Sequence, residues 1–411
     1  MNVSQKEFDA IIVGAGPGGA ECARELSRRG RRVLLLERSE RIGEPNFSTA
    51  GTPSETIRDF DFPSKVIGGS WSKILINADN NSHTWDYGKT RGYVFDFKEL
   101  KKFLVGDAVK HGARVLVGTS AIKSIIRHGS VVGVSYEGIF GNGMAMGKVV
   151  VDASGPVGVL ASELGLRKSH PCSPAVGIES IIENEQVVKS LKDYSNTLSV
   201  FLGDNYAPHG YGWIFPFGKN AFKVGICVFN AEDYGIVKKD YSDLMEDFEK
   251  FLGKFTQFKD FQITELHGGS IFVTGGLKKY SRDGFIAIGD AAFQINPLGG
   301  EGIRHALHSG RMAAEVINEA LGKNNTKRSV LKEYDKKWNK YIGFKWGLLL
   351  KISNKIYGNF AEKQWSDVIK IASTLSPDEA YGWFFNYRQP QKLKLNRIFG
   401  IISMLKNIIW G

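Results

Sequence analysis

The 411-residue sequence predicts a mixed α/β (α+β) fold, and three observations lead to this prediction. An apolar run at residues 10–13 is followed by a glycine-rich turn at 14–19 and a helical pattern, which together are typical of a βαβ unit. Residues 166–278 contain short apolar stretches separated by turn signals, which indicate an antiparallel sheet. From residue 325 onward the pattern is helical, basic and aromatic, which predicts a C-terminal helical region.

The first glycine-rich segment has the spacing G-x-G-x-x-G, with its glycines at Gly14, Gly16 and Gly19. In such a segment the first glycine permits a tight turn, the second lets the backbone approach a pyrophosphate, and the third lets the helix pack on the strand. A second predicted strand ends at Glu37, where a carboxylate can accept hydrogen bonds from a ribose diol. A purely structural turn would explain the glycines but not Glu37. We therefore expect this Rossmann-type segment to bind a dinucleotide through Gly14, Gly16, Pro17, Gly18, Gly19, Glu37 and Arg38.

A second segment, far along the chain, favours FAD over a nicotinamide dinucleotide. Residues 285–288 predict a buried strand, and Asp290 follows it at the position where open α/β sheets bind ligands, so its carboxylate could hydrogen-bond a ribityl hydroxyl. Glycines within 299–302 precede a predicted helix at 303–321, whose N-terminus would stabilise the negative charge of a reduced flavin. The alternative is an ordinary helix cap. The residues expected to bind FAD here are Gly289, Asp290, Gly299, Gly300 and Gly302.

A third motif, at residues 211–218, reads Y-G-W-I-F-P-F-G and fits the pattern Y-x-W-x-F-P-x-G at every fixed position. With the two glycine-rich segments and the turn D-A-S-G at 152–155, the chain resembles the geranylgeranyl reductase family of flavoproteins, within the aromatic-hydroxylase-like FAD superfamily. Related halogenases carry W-x-W-x-I-P at a similar place, which fits less well because Tyr211 and Phe215 replace its first Trp and its Ile. The resemblance implies that Asp152 belongs to a turn that approaches the FAD pyrophosphate.

The resemblance also implies an FAD-dependent reductase that saturates geranylgeranyl double bonds of a membrane lipid or its precursor. Hydride would pass from the flavin to one alkene carbon and a proton to the other. An unactivated alkene has no polar group for the protein to recognise, so the site needs an apolar surface that holds the prenyl chain tightly in position. Trp213, Phe215 and Phe217 alternate along a predicted strand and share one face, to which Tyr211 adds a hydroxyl that could donate a hydrogen bond or a proton. The residue pattern alone leaves open that these aromatics are only the core of the sheet.

The chain departs from the family pattern in two places. Many members carry a cysteine in a loop that borders the flavin, where residues 46–48 of this chain read Asn-Phe-Ser. If that cysteine assists reduction, its assistance is expected to be either missing here or replaced by Ser48. The family usually has arginine where Phe97 stands, so Arg91 or Lys98 is expected to cover the pyrophosphate. The expected catalytic residues are Tyr211, Trp213, Phe215 and Ser48.

The superfamily topology is discontinuous, and the predicted domains follow it. Residues 1–60, 95–165 and 279–324 are expected to form the FAD-binding domain, 61–94 and 166–278 the substrate domain, and 325–411 the C-terminal helical region.

The net charge of +11 predicts a basic surface that can meet anionic lipid or an acidic protein, and no nucleic-acid motif accompanies it. Since a second dinucleotide fingerprint is absent, electrons are expected from transiently bound NAD(P)H or from an acidic ferredoxin-like carrier. A C-terminal helix could lie in a lipid interface or dock on the protein's own core, and its apolar residues at helical spacing are Ile398, Ile401, Ile402, Leu405, Ile408 and Ile409. Without a signal peptide or a long apolar run, we expect a cytoplasmic protein with peripheral contact at the inner membrane face.

Other chemistries receive less support from the sequence. The three cysteines show no paired spacing, which argues against a disulfide framework or a metal site. His305 and His308 are expected to be solvated helix residues, so no metal is predicted. Two rival functions stay open. One is a flavin-dependent monooxygenase or halogenase on the same scaffold, and the other is a redox-neutral flavoprotein such as a cyclase.

Overall fold

The computed structural model describes residues 7–46, 48–79, 81–168, 173–183, 185–229, 241–258 and 266–387. It contains both parallel and antiparallel sheets together with helices, so the predicted mixed α/β fold is confirmed. The strands are β1 (Glu7–Val13), β2 (Val33–Leu36), β3 (Gly51–Pro53), β4 (Ile67–Trp71), β5 (Lys73–Ala78), β6 (Asn81–Asp86), β7 (Gly92–Phe95), β8 (Arg114–Leu116), β9 (Thr119–Arg127), β10 (Ser130–Gly138), β11 (Gly143–Asp152), β12 (Ser173–Ile182), β13 (Thr197–Leu202), β14 (Gly210–Phe217), β15 (Ala221–Phe229), β16 (His267–Val273), β17 (Ser281–Arg282) and β18 (Phe285–Ala287).

Some of the α-helices lie between strands in chain order, and the others follow the last strand, β18. The helices are α1 (Pro17–Arg28), α2 (Ser54–Asp59), α3 (Phe97–Lys110), α4 (Val159–Glu163), α5 (Glu185–Ser190), α6 (Tyr241–Gly253), α7 (Ile303–Gly322), α8 (Arg328–Trp338), α9 (Phe344–Asn359), α10 (Glu362–Ala372) and α11 (Pro377–Asn386). In the described ranges no helix is long and apolar enough to cross a membrane.

The chain divides into two compact units. The first unit comprises Met1–Asn46, Phe97–Cys172 and Ile271–Leu350, and the second comprises Phe47–Asp96, Ser173–Ser270 and Lys351–Gly411. This division differs from the predicted one, because the C-terminal helices are shared between the units. Helix α8 belongs to the first unit, where the Tyr280 N–H donates to Asp335 on that helix. Helices α10 and α11 belong to the second, where the Trp85 indole donates to the Leu375 carbonyl between them.

The first unit is built on a parallel sheet. Its strands run in the order β17-β18-β11-β1-β2-β8, and β10 and β9 continue from β11 as an antiparallel extension. Strands β1, β2, β11 and β18 are parallel neighbours, and the apolar side chains in the paired segments 10–13, 33–36, 149–151 and 285–287 are buried. Such continuous apolar runs are typical of parallel strands that are covered on both faces.

Helices α1 and α7 pack closely in the first unit. A Cβ atom at Gly310 would lie 2.2 Å from the Gly18 carbonyl oxygen, so only a glycine fits at that crossing. The polar contact beside it is an ion pair of the buried Glu21 carboxylate with Arg24 and Arg311. The close crossing and the ion pair therefore fix α1 and α7 against each other.

The second unit is built on a sheet in the order β16-β12-β15-β14-β13-β5-β6, in which β12, β15, β14 and β13 are antiparallel. One face of this sheet is covered by α6. Its core there contains Ile214, Phe222, Val224, Phe248 and Phe251. The remaining strands of the unit, β3, β7 and β4, form a small three-stranded sheet.

Candidate active site

The glycine-rich turn between β1 and α1 has the geometry that its sequence predicts. Gly14 has φ of +101°, and a Cβ atom there would lie 2.3 Å from the Ala153 carbonyl oxygen. Gly19 is equally restricted, because its Cβ would lie 2.0 Å from the Gly14 oxygen. At Gly16, by contrast, nothing lies within 4 Å of that position, which leaves open space in front of the α1 N-terminus. Free N–H groups at such an end attract phosphate.

Glu37 closes this turn from the end of β2. One carboxylate oxygen accepts a hydrogen bond from the Ala15 N–H and the other accepts from the Ser39 N–H, both at 2.8 Å. A carboxylate has about four lone-pair positions, so Glu37 keeps capacity for the hydroxyls of a ribose. Arg38, which was predicted beside it, is exposed.

Asp152 is buried at the end of β11, and its carboxylate is used within the protein. It accepts hydrogen bonds from the Ser154 N–H at 3.0 Å, from the Ser154 hydroxyl and from the Ala161 N–H at 2.7 Å. These bonds fix the turn at residues 153–161. The role of Asp152 in cofactor binding stays a prediction, and the geometry favours an action through this turn.

The parallel register brings three predicted segments to one edge of the first unit's sheet. Val13 pairs with Asp152, and Asp152 pairs with Ala287, so the turns that follow β1, β11 and β18 begin side by side. The carboxyl ends of parallel strands are where open α/β sheets bind ligands. The segments around Gly14, Asp152 and Gly289 therefore lie together at this edge of the sheet although they are far apart in sequence.

Asp290 follows β18 at this edge. Burial raises the pKa of its carboxyl to about 6, although Arg167 acts in the opposite direction. The Arg167 guanidinium is held over the Phe293 ring, with Cζ 4.1 Å from the ring centroid. Sequence reasoning missed Arg167, since a basic residue in the pair Arg167-Lys168 has no distinguishing pattern.

The loop before α7 is folded around Asn296. The N–H of Asn296 donates to the Glu301 carbonyl and the Gly300 N–H donates to the Asn296 carbonyl, both at 3.0 Å. Gly300 has φ of +65°, and Gly302 caps α7 without any side-chain cap. Burial acts to raise the pKa of Glu301, but its pair with Arg304 at 2.6 Å outweighs burial and lowers the pKa. The uncapped helix end keeps its N–H groups for a ligand.

The predicted aromatic strand, β14, lies in the second unit and alternates as expected. Ile214 belongs to the core under α6, whereas Trp213 lies on the opposite face. On that face Tyr211 is 5.9 Å from Trp213, ring centroid to ring centroid, and Phe217 packs where Gly68 leaves room. Phe215 and Phe217 also pack against a buried cluster that includes Trp71 and Leu198, so these two contribute to the core as well. We call this side of the sheet the aromatic face.

Trp213 is held by a glycine and a carboxylate on neighbouring strands. Gly225 pairs with Trp213 on one side and with Glu179 on the other. The indole lies across Gly225, and its N–H donates to Glu179 Oε2 at 3.0 Å. Trp213 and Glu179 are both only 5% exposed. The strand register therefore fixes the orientation of the indole, and sequence reasoning missed both of its partners.

Ser48 lies in the second unit and interacts with the aromatic face through its backbone. Its carbonyl oxygen accepts a hydrogen bond from Lys223 Nζ on β15. Phe47 lies outside the described residues. Tyr211 is half-buried, and burial raises the pKa of its hydroxyl well above the ordinary value. Tyr211 therefore stays protonated and is a weak acid.

Two of the remaining expectations concern basic side chains and histidines. The Arg91 guanidinium stacks 3.8 Å above the Tyr381 ring centroid in the second unit, and Lys98 Nζ lies 3.8 Å from Glu44 in the first. Both side chains have local partners, and their role at a pyrophosphate stays a prediction. The expectation that His305 is solvated is wrong, because its side chain is completely buried at the edge of Trp346.

Comparison with known proteins identifies the family. The family model described as FAD dependent oxidoreductase matches residues 9–167, and the one described as geranylgeranyl reductase catalytic domain matches residues 180–271. A digeranylgeranylglycerophospholipid reductase of Methanocaldococcus jannaschii is 35% identical over 338 residues, which cover 80% of this chain and 82% of that protein. The chain belongs to the geranylgeranyl reductase family. It is an FAD-dependent oxidoreductase.

Two further comparisons agree with this membership. The digeranylgeranylglycerophospholipid reductase of Haloferax volcanii is 31% identical over 86% of the chain and 88% of its own length. The crystal structure of a geranylgeranyl bacteriochlorophyll reductase-like protein from Thermoplasma acidophilum has a TM-score of 0.84, with 22% identity, over 98% of this chain and all of that one. At that identity the structural likeness shows a shared fold. The predicted resemblance to the geranylgeranyl reductase family is confirmed.

Proposed function

We propose that this reductase saturates carbon–carbon double bonds of the geranylgeranyl chains of a glycerophospholipid. Two relatives that cover most of the chain carry names that state this substrate. The observation that supports the proposal most directly is the aromatic face, where Trp213 is fixed by Gly225 and Glu179. An apolar wall of fixed rings suits a prenyl chain, which offers no polar groups for recognition.

The FAD site would be formed by residues of the first unit. Reduced FAD supplies the hydride when it is bound. The open space at Gly16 and the α1 N-terminus suit its pyrophosphate, Glu37 suits a ribose diol, and Asp290 suits a ribityl hydroxyl. The uncapped end of α7 at Gly302 suits the negative charge that a reduced flavin carries.

The aromatic face would exclude water and hold the alkene in a productive position. The rings that would face the prenyl chain are those of Tyr211, Trp213 and Phe215. Trp213 cannot rotate without losing its hydrogen bond to Glu179. Positioning of this kind contributes strongly to the reaction rate when two reacting groups must be brought together. Ser48 takes part through its carbonyl group, which tethers Lys223.

The proposal is tested by product analysis with and without oxygen. The purified protein, reduced chemically, is incubated with a digeranylgeranyl glycerophospholipid, and the lipid is analysed by mass spectrometry. A gain of two hydrogens per double bond under anaerobic conditions supports the reductase. Oxygenated or halogenated products that form only in air would support the monooxygenase or halogenase, and an isomerised lipid of unchanged mass would support a redox-neutral cyclase.

The electron donor is proposed to be an acidic ferredoxin-like carrier or transiently bound NAD(P)H. The net charge of +11 supports the carrier, because a basic surface speeds association with an acidic partner. Flavin reduction by the carrier should then slow markedly as ionic strength rises. Reduction by NADPH at a rate that salt leaves unchanged would favour the nicotinamide donor.

The protein is proposed to be cytoplasmic and to touch the inner membrane face through its C-terminal segment. That segment, residues 398–410, lies outside the described residues, and the proposal rests on its apolar spacing and its flanking lysines. A variant that ends at residue 390 should bind anionic lipid vesicles less tightly than the full chain in a flotation assay. Equal flotation of both proteins would show that this segment is not the membrane contact.

A further inference from the structure

A lysine is buried in the aromatic face of the second unit. All nine residues of β15 are buried, and Lys223 is 2% exposed. Its neighbours Phe222 and Val224 belong to the core under α6, so Lys223 lies on the opposite side of the sheet, which is the aromatic face. Lysine is rarely buried to this extent without a specific role or partner.

The Lys223 ammonium group is held in a defined place. Nζ donates to the Ser48 carbonyl, and it lies 4.7 Å from the centroid of the Phe217 ring. An ammonium group has three N–H donors, so Lys223 can donate to a further acceptor besides the Ser48 carbonyl. The charged groups that act on it are the carboxylates of Glu179 on β12 and Asp96 after β7.

Glu179 makes this face a mixed acidic and basic site. One of its oxygens accepts from the Trp213 indole. The other oxygen, Oε1, is buried and has no hydrogen-bond partner in the described part of the chain. Opposite charges buried on one face are poor evidence of added stability, since desolvation opposes their attraction. A functional role explains its presence on an otherwise aromatic surface better than stability does.

We propose that Lys223 is the acid that supplies the proton in alkene reduction. This inference rests on the proposed function. The hydride from reduced FAD forms a C–H bond with one alkene carbon, and the π electrons form a C–H bond at the other carbon with a proton from Nζ. The N–H bond breaks, Lys223 becomes a neutral amine and the flavin is oxidised. Lys223 then regains a proton from water, and the balance needs no further reactant.

The protonation properties of the two candidate acids favour Lys223 over Tyr211. Burial lowers the pKa of Lys223 from its ordinary value, and the two nearby carboxylates only partly oppose this effect. Burial raises the pKa of Tyr211. A lower pKa makes a group a stronger acid, so the same apolar surroundings favour proton loss from the ammonium and oppose it from the phenol.

Three variants separate proton donation from other roles of this side chain. Lys223→Met removes the acid and Lys223→Arg keeps the charge with a group that holds its proton. Lys254→Met is the matched control, because it also removes a lysine whose Nζ lies over an aromatic ring, that of Tyr206. Each protein, with FAD bound, is reduced without oxygen and mixed with a digeranylgeranyl glycerophospholipid. Flavin reoxidation gives the rate, and the spectral shift of the oxidised enzyme gives the lipid dissociation constant.

We expect both Lys223 variants to slow reoxidation by about 100-fold or more, which is the usual contribution of a general acid. Their lipid dissociation constants should stay within about threefold of wild type, and the Lys254→Met rate should be unchanged. The wild-type rate should fall as pH rises through the range below about pH 10.4, the ordinary pKa of lysine, because burial lowers the pKa of Lys223. The Lys223→Met rate should not follow that profile.

The outcomes that overturn the inference are distinct from failure of the proposed function. A wild-type enzyme that reduces no lipid contradicts the proposed function itself. If the wild-type enzyme reduces lipid and Lys223→Arg keeps its rate while Lys223→Met is slow, the charge and not proton transfer is needed. If both variants keep the wild-type rate, Lys223 is not the acid. If the variants do not fold with FAD, the wild-type pH profile decides, and a rate that stays constant across the range overturns the assignment.

Discussion

Gly225→Ala tests whether the strand register fixes Trp213. A Cβ atom at this position would lie 2.4 Å from both the Trp213 ring and the Ile178 carbonyl oxygen, and real Cβ atoms do not approach so closely. The indole must therefore move away and lose its hydrogen bond to Glu179. The substitution adds one methyl group to the second unit and leaves the sequence of the first unit unchanged.

The expected loss of stability has two parts. Overpacking of a well-packed site costs about 1–3 kcal/mol. Loss of a hydrogen bond to a charged group costs about 1.5–3 kcal/mol. Together they predict that the free energy of unfolding of the second unit falls by roughly 2.5–6 kcal/mol.

Gly212→Ala is the matched control on the other face. Its Cβ would lie 2.4 Å from the Phe251 ring under α6, so it overpacks the same sheet without touching Trp213. Urea unfolding followed by circular dichroism measures both variants, and lipid reduction is measured under native conditions. We expect Gly225→Ala to lower alkene reduction at least about tenfold more than Gly212→Ala, with equal FAD affinity. Equal stability and activity losses in the two variants would refute the role assigned to the Trp213–Glu179 bond.

Three further substitutions test the cofactor turn, one helix cap and one buried cation. Glu37→Gln should weaken FAD binding about 10-fold or more, because an amide cannot accept at both of the positions that the carboxylate uses, and flavin fluorescence titration against wild type checks this. Ser376→Ala should lower stability by about 1 kcal/mol through loss of the α11 cap, with no change in FAD affinity. Burial lowers the pKa of Lys101 to about 8, below its unfolded value of about 10.4, so the unfolded state binds more protons in that window. Wild-type stability should therefore rise as pH increases from about 8 to about 10.4, and urea midpoints of Lys101→Met should lack this rise.

The glycine-rich turn could be predicted from sequence because its constraints are local. Gly14 needs a positive φ and Gly19 needs close helix packing, and both requirements fall within one short segment. The alternation of side chains along β14 could also be predicted from sequence, since successive side chains in a strand point to opposite faces. Both features are therefore predictable from short stretches of sequence.

The partners of Trp213 could not be predicted in the same way. Glu179 and Gly225 meet Trp213 only through the register of three antiparallel strands, which depends on pairing across the whole sheet. Lys223 offered one local signal, a single charge within the apolar strand Ala221–Phe229. Its contact with Ser48 joins residues 175 positions apart, which no local pattern encodes.

The assignment of the C-terminal helices to two different units could not be predicted from local sequence patterns either. The predicted separate helical region begins at residue 325, whereas the structure assigns the chain up to Leu350 to the first unit and the chain from Lys351 to the second. Helicity is a local property, but the surface on which an amphipathic helix packs depends on distant residues. Tyr280, whose N–H donates to Asp335 on α8, is such a distant residue.

Anaerobic stopped-flow mixing of the reduced enzyme with a digeranylgeranyl glycerophospholipid tests the central claim most directly. The flavin should reoxidise at a rate that rises with lipid concentration and then saturates. One flavin should be oxidised for each double bond lost, and a fully saturated lipid of the same head group should have no effect. A flavin that stays reduced with the unsaturated lipid and reoxidises only when oxygen is admitted would contradict the account.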